Sequence, residues 1–147
     1  VRPLEIGINQ FRKSLAYLEK IMTAQTIELQ RKHCVPCEGG IPALDKADVQ
    51  KFLTSVPDWR LTTDGKRIRR QWTVKDFASG LEFFQKVGDV AEGEGHHPDL
   101  HLEGYRNLAI ELWTHAVGGL TENDFILAAK IDELPVKLKE SKSKDAK

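Results

Sequence analysis

The sequence has 147 residues, 40% of them hydrophobic and 30% charged. That suits one soluble domain, which at this size buries roughly two thirds of its unfolded surface without metals or disulfide staples. Lys and Arg (22) balance Asp and Glu (22), which argues against a dedicated nucleic-acid binder. No apolar run approaches the ~18–20 residues of a membrane span, and two cysteines cannot build a disulfide framework.

Residues 1–33 read as an amphipathic helix, because Phe11, Leu15, Leu18 and Met22 recur at one helical face. Six basic residues against three acidic ones (Glu5, Glu19, Glu28) make it too acidic for a typical transit peptide. A helix docked on the main domain or on a neighbouring subunit is expected. The loop from Cys34-Val35-Pro36-Cys37 to Gly40 ends this 1–40 extension. A zinc site would need two further ligands, and only His33 is near. A thioredoxin-type pair would need a preceding strand, so a packed junction is expected there.

A compact domain follows, over 41–135. Asp45 can cap a helix through about Val56, with Val49, Phe52 and Leu53 on its inner side. Trp59, Leu61 and Thr63 alternate with polar residues, Asp64-Gly65 signals a two-residue turn, and Ile68, Trp72 and Val74 alternate again. Asp76 opens a helix to about Glu94 with the stripe Phe77, Leu81, Phe84, Val87 and Ala91, ended by Gly93 and Gly95. Leu100 and Leu102, then Leu108, Ile110 and Leu112, mark two more strands, joined through Gly104 to Asn107. Thr121, with Asp124 three residues on, forms a capping-box signal for a last helix whose inner face carries Leu127, Ile131 and Leu134. Residues 136–147 form a tail with five lysines, expected to be solvated.

The order helix, strand, strand, helix, strand, strand, helix predicts an α+β fold. It is a four-stranded antiparallel sheet with helices packed on one face, plus the N-terminal amphipathic helix. No parallel βαβ series and no Gly-rich phosphate loop is visible, which argues against a nucleotide cofactor.

Four of the five histidines lie between positions 96 and 115. Pro98 holds His97 extended, so His96 and His97 point to opposite sides. His115 falls in step with Glu111 and Trp113, away from the apolar face. Three imidazoles in one cleft suit acid–base elimination of water near neutral pH. The rival uses are a three-histidine metal site and plain packing. Trp59 and Trp72 read as sheet-face core, Tyr105 as a turn residue, and His33 and His101 as incidental.

The array Glu92, His96-His97-Pro98, Tyr105, His115 and Asp124 resembles the signature of the pterin-4a-carbinolamine dehydratases. The resemblance runs from about Asp45 to Leu134 and includes Asp58-Trp59 and the stretch from Thr114-His115 through Gly119-Leu120-Thr121-Glu122 to Asp124. The extension and its Cys34–Gly40 stretch are more similar to plant and protist members.

The resemblance implies a metal-free, cofactor-free dehydration of 4a-hydroxytetrahydropterins to quinonoid dihydropterins, the recycling step after aromatic amino-acid hydroxylation. It implies His96, His97 and His115 as catalytic residues. The pterin would lie against Gly95, His96, His97, Trp113, Thr114, His115 and Ala116, with Glu92, Pro98 and Asp124 in support. It further implies a homodimer or homotetramer. From the balanced charge and the lack of a long apolar run, no nucleic-acid or membrane partner is expected, and the location is left open between cytoplasm and organelle (mitochondrion or plastid). The alternative is a non-catalytic binding, assembly or coactivator module on the same scaffold. Gly95 departs from the acidic residue or Asn common before the histidine pair. Leu100 stands where animal relatives have an aromatic, which would loosen stacking on a pterin.

Overall fold

The computed structural model describes residues 3–36 and 40–141, and for 3–7, 9 and 21–23 the backbone alone. Helix α1 (Pro3–Arg31) and helix α2 (Lys46–Leu53) precede strands β1 (Arg60–Leu61) and β2 (Ile68–Thr73). Helix α3 (Phe77–Glu94), strands β3 (Asp99–Glu103) and β4 (Asn107–Leu112) and helix α4 (Glu122–Asp132) follow. The strands form one antiparallel sheet in the order β1-β2-β4-β3. This is the expected α+β architecture. Among the described residues no helix is long and apolar enough to cross a membrane.

Register explains the core. Ile68 pairs with Leu112, Trp72 with Leu108 and Leu100 with Ile110, so one face of the sheet collects the apolar residues. Ile68, Trp72, Leu108, Ile110 and Leu112 are buried there with Phe83 and Val87 of α3 and Phe125, Leu127 and Ile131 of α4. Trp59 meets Trp72 edge-on at 6.0 Å, and Trp72 meets Phe83 at 5.2 Å.

Four details depart from the sequence pattern. The expected two-residue turn at Asp64-Gly65 is a longer loop. Thr62 N–H bonds Arg67 O at 2.9 Å, and of the central pair only Gly65 has positive φ. Asp64 is held below the usual carboxylate range, chiefly by the Lys66 N–H and then by the Thr62 hydroxyl. Asp64 therefore works as an ionised turn anchor.

On α3, Phe77 and Leu81 are about half exposed, and the buried face runs through Gly80, Phe83, Val87 and Ala91. The cause is Gly80: a Cβ there would meet Leu108 at 3.3 Å and Val74 at 3.4 Å, so the helix lies closest to the sheet at that point. That rotation turns the first part of the expected stripe outward.

Arg70 lies in step with Ile68 and Trp72, on the covered face. Its guanidinium sits 4.8 Å from the Trp72 ring centre, pairs with Asp132, and reaches Asp58 at 3.4 Å. Trp59 Nε1–H also donates to Asp132, at 2.9 Å. Burial pushes the Asp132 carboxyl up, although Trp59 and Arg70 pull the other way. Helix α4 is buried over almost its whole circumference, from Asn123 to Ala129 and at Ile131. It is the central helix of the domain, not an amphipathic cover.

The C-terminal part of α1 packs on this core. Leu29 is buried, and Thr26 Oγ1 donates to Ser55 O at 2.7 Å. Phe11, Leu15 and Leu18 are exposed, and the Met22 side chain lies outside the described residues. Docking on the main domain therefore involves the last turns of α1 and the segment after it.

In that segment, Glu94 accepts from Cys34 N–H at 2.8 Å and from His33 Nδ1 at 3.3 Å, and it pairs with Lys130. Burial opposes ionisation of Glu94, but these partners outweigh it and hold its carboxyl below the usual range. A carboxylate lowered on folding adds stability that is complete above its unfolded value and is lost as pH falls through the folded one. Urea unfolding of wild type and Glu94→Gln should therefore differ most at neutral pH. The two curves should converge only as pH falls through the folded carboxyl's value, which lies below the ordinary glutamate range.

Candidate functional site

Helix α3 ends in a glycine cap. Gly95 has φ 63°, its N–H bonds Glu92 O, and His96 N–H bonds Ala91 O. This left-handed closure is one a Cβ-bearing residue adopts only at a cost. It turns the chain back, so that His96 points inward and His97 outward. His96 is buried at 7% exposure, and Pro98 leads at once into β3.

The inward ring meets Asp124 in the first turn of α4. His96 Nε2–H donates to Asp124 Oδ1 at 2.6 Å. Asp124 Oδ2 accepts the Thr114 hydroxyl at 2.8 Å and the Thr121 N–H at 2.9 Å. Since the Thr114 proton is used there, Thr121 donates its own to Thr114 Oγ1, at 2.8 Å. Asp124 has no exposed surface, yet three donors and a helix N-terminus surround it. Those are the conditions under which a buried anion is tolerated. The capping role expected from Thr121 and Asp124 is present, and the same carboxylate fixes an imidazole.

His97 Nε2–H donates to Glu92 Oε1 at 2.7 Å, with both side chains exposed. Glu92, one turn back on α3, thus orients an imidazole at the surface. Such an exposed pair contributes little to stability.

Strand β4 ends at Leu112, before His115. Thr114 N–H bonds Gly119 O at 2.8 Å and closes a loop in which His115–Val117 form one tight turn. The His115 ring stacks on Trp113, centroids 3.8 Å apart and planes 25° apart. Trp113 is itself fixed: its Nε1–H donates to Asp99 Oδ2 at 2.9 Å, and the Arg67 guanidinium lies 4.6 Å from its ring centre. Arg67 in turn binds Asp99 at 3.2 Å and Glu111 at 2.9 Å. Burial opposes ionisation of Glu111, but Arg69 and Arg67 hold it below the usual range. The wet face of the sheet is therefore a charged lattice with the tryptophan set into it.

A cleft of about 500 Å³ opens between these pieces, lined by Gly95, His96, His97, Thr114, His115, Ala116 and Pro36. The size is ordinary for a small-molecule site. Trp113 is not one of its lining residues; it supports the His115 ring from behind. Leu100, on an edge strand at 41% exposure, does not line it either. His101 lies on β3 opposite Ala109, and His33 bonds Glu94; neither lines the cleft. Tyr105 occupies the β3–β4 loop with φ 56°.

Among the described residues no three His, Cys, Asp or Glu side chains converge as metal ligands, and Cys37 lies outside the described residues. Sequence reasoning passed over Pro36, Glu94, Asp99 and Asn123. Nothing local marks Glu94, Asp99 and Asn123, because their partners are 14 to 88 residues away in the chain.

Comparison with known proteins gives the family. Residues 42–134 match the family model for pterin 4 alpha carbinolamine dehydratase. A mitochondrial pterin-4-alpha-carbinolamine dehydratase 2 of Arabidopsis thaliana is 53% identical over 123 residues, which is 82% of this chain and 66% of the relative. The chain thus spans about two thirds of that protein's length. A putative pterin-4-alpha-carbinolamine dehydratase of Methylococcus capsulatus is 44% identical over 72% of this chain and 92% of its own. The crystal structure of a transcriptional coactivator/pterin dehydratase from Brucella melitensis superposes with a TM-score of 0.57 at 27% identity. That match covers 61% of this chain and 95% of that one. On the family match and these relatives, this chain belongs to the pterin-4-alpha-carbinolamine dehydratase family of lyase enzymes.

Proposed function

We propose that this enzyme dehydrates a 4a-hydroxytetrahydropterin to a quinonoid dihydropterin and water, and that its histidines act as the general acid and base. The observation that carries the reading is three imidazoles lining one open cleft in a chain of this family. In this mechanism His115 takes the proton from the pterin ring N–H. The electron pair left on nitrogen forms the new C=N bond at C4a, and the C4a–O bond breaks. The departing hydroxyl takes a proton from His96 or His97, according to the face of C4a that carries it, and leaves as water. Asp124 gives His96 a fixed anionic partner for the stage at which its ring carries two protons. Glu92 does the same for His97 at the exposed rim.

The reading includes no metal and no organic cofactor. It extends to a homodimer or homotetramer, which open-sheet edges at β1 and β3 favour. It also extends to a cytoplasmic, mitochondrial or plastid setting, which the mitochondrial name of the Arabidopsis relative supports.

Stopped-flow assay of a freshly generated carbinolamine pterin tests the activity. Purified protein should speed water loss well above the spontaneous rate, and prior dialysis against a chelator should leave that rate unchanged. A rate equal to the uncatalysed one removes the reading. Reversible loss of activity on chelation would replace it with metal catalysis.

A further inference from the structure

Of the described residues lining the cleft, only Pro36 lies before the 42–134 stretch that matches the family. It sits at the end of a short strap, residues 32–36, that leaves α1 and crosses to the mouth of the site. The strap is fastened at each residue before Pro36. Lys32 Nζ donates to Glu122 Oε1 at 2.5 Å, and its ammonium pKa is raised, first by that bond. His33 and Cys34 both bind Glu94. Val35 is held on both sides by one amide: its N–H donates to Asn123 Oδ1 at 3.0 Å, and Asn123 Nδ2 donates back to Val35 O at 2.7 Å. Asn123 thereby supplies to Val35 the paired bonds that a neighbouring β-strand would supply.

The fastening points are placed informatively. Glu94 directly precedes Gly95-His96, and Asn123 directly precedes Asp124, the partner of His96. A segment held to those two positions stands in fixed relation to the His96–Asp124 pair. Pro36, a ring with no N–H to solvate, faces the cavity.

We propose that the strap 33–36, held by Asn123 and Glu94, presents Pro36 as a substrate-contacting wall of the cleft. The segment ahead of the family module then sets how tightly the pterin is bound. Asn123 is a positioning residue in this arrangement, and Pro36 is the contact. The inference rests on the pterin reading of the cleft and adds to it a specificity element from outside the module.

The experiment compares wild type, Asn123→Ala and Pro36→Ala, using turnover of a carbinolamine pterin and equilibrium binding of an unreactive 7,8-dihydropterin. Loss of a bond pair or of a shaped contact should raise KM and the dihydropterin Kd about three- to tenfold, with kcat within about twofold. If Asn123 served only to hold α4, its loss would disturb Asp124 and lower kcat with Kd unchanged, and that result overturns the proposal. Pro36→Ala touches no helix, so it keeps the test alive if Asn123→Ala folds poorly. Unchanged KM and Kd in Pro36→Ala overturns the wall while leaving the enzyme reading intact. Wild type that binds dihydropterin and shows the variant effects, yet catalyses nothing, sinks the enzyme reading and keeps the wall. Wild type that neither binds nor turns over a pterin removes both.

Discussion

Replacing His115 or His96 by alanine should lower kcat by about 10²–10⁴, the usual worth of a positioned proton-transfer group. At ~1.36 kcal/mol per decade that corresponds to roughly 2.7–5.5 kcal/mol of barrier. The two variants should differ in a second measurement. His115 lies on an exposed turn and is held by stacking on Trp113, so His115→Ala should unfold at nearly the wild-type temperature. His96 is buried and donates to a fully buried carboxylate. Its removal leaves Asp124 Oδ1 without that donor, at a cost of about 1–3 kcal/mol, and the melting temperature should drop by several degrees. Turnover like wild type in both single variants would refute the assignment of the proton carriers.

Asp124→Asn should produce a comparable loss of rate with most of the fold retained, for a reason that lies in the donor geometry. The Thr121 N–H cannot become an acceptor, so the amide must turn its oxygen toward Thr121 and Thr114. Its NH₂ then faces His96 Nε2, which has to accept. The ring proton moves to Nδ1, and the tautomer is reversed. An aspartate-to-asparagine change behind a catalytic imidazole acts in this way in serine proteases, where it costs about 10⁴ in rate. Here about 10²–10⁴ is expected in kcat, with little change in KM. Nitrogen chemical shifts of the His96 ring would report the tautomer directly. An unaltered tautomer and an unaltered kcat together would show that Asp124 serves the helix alone.

Much of the architecture was legible because its signals are local. Asp45 and Asp76 each accept from the N–H three residues on, as capping requires. Gly95 takes the left-handed conformation that ends α3. The histidine cluster was legible because three of its members sit on two short stretches. What escaped depended on distant partners. Arg70 occupies a core-face position because Asp132, 62 residues later, neutralises it. The exposure of Phe77 and Leu81 follows from how closely Gly80 approaches β4, which no periodicity within α3 encodes. The all-round burial of α4 reflects α1 and α2 covering the side that the sheet does not. In the site itself, Trp113 is a pterin contact only as the resemblance implies; its indole is held by Asp99, stacks on the His115 ring and does not line the cleft.

The double duty of Asp124 has an evolutionary corollary. One carboxylate closes the start of the central helix and also backs an imidazole, so selection for folding alone would preserve it. In descendants that abandoned chemistry, the aspartate should survive long after the histidine at 96 had drifted. Its presence by itself is then a poor marker of a working enzyme, whereas joint retention of both residues is an informative one.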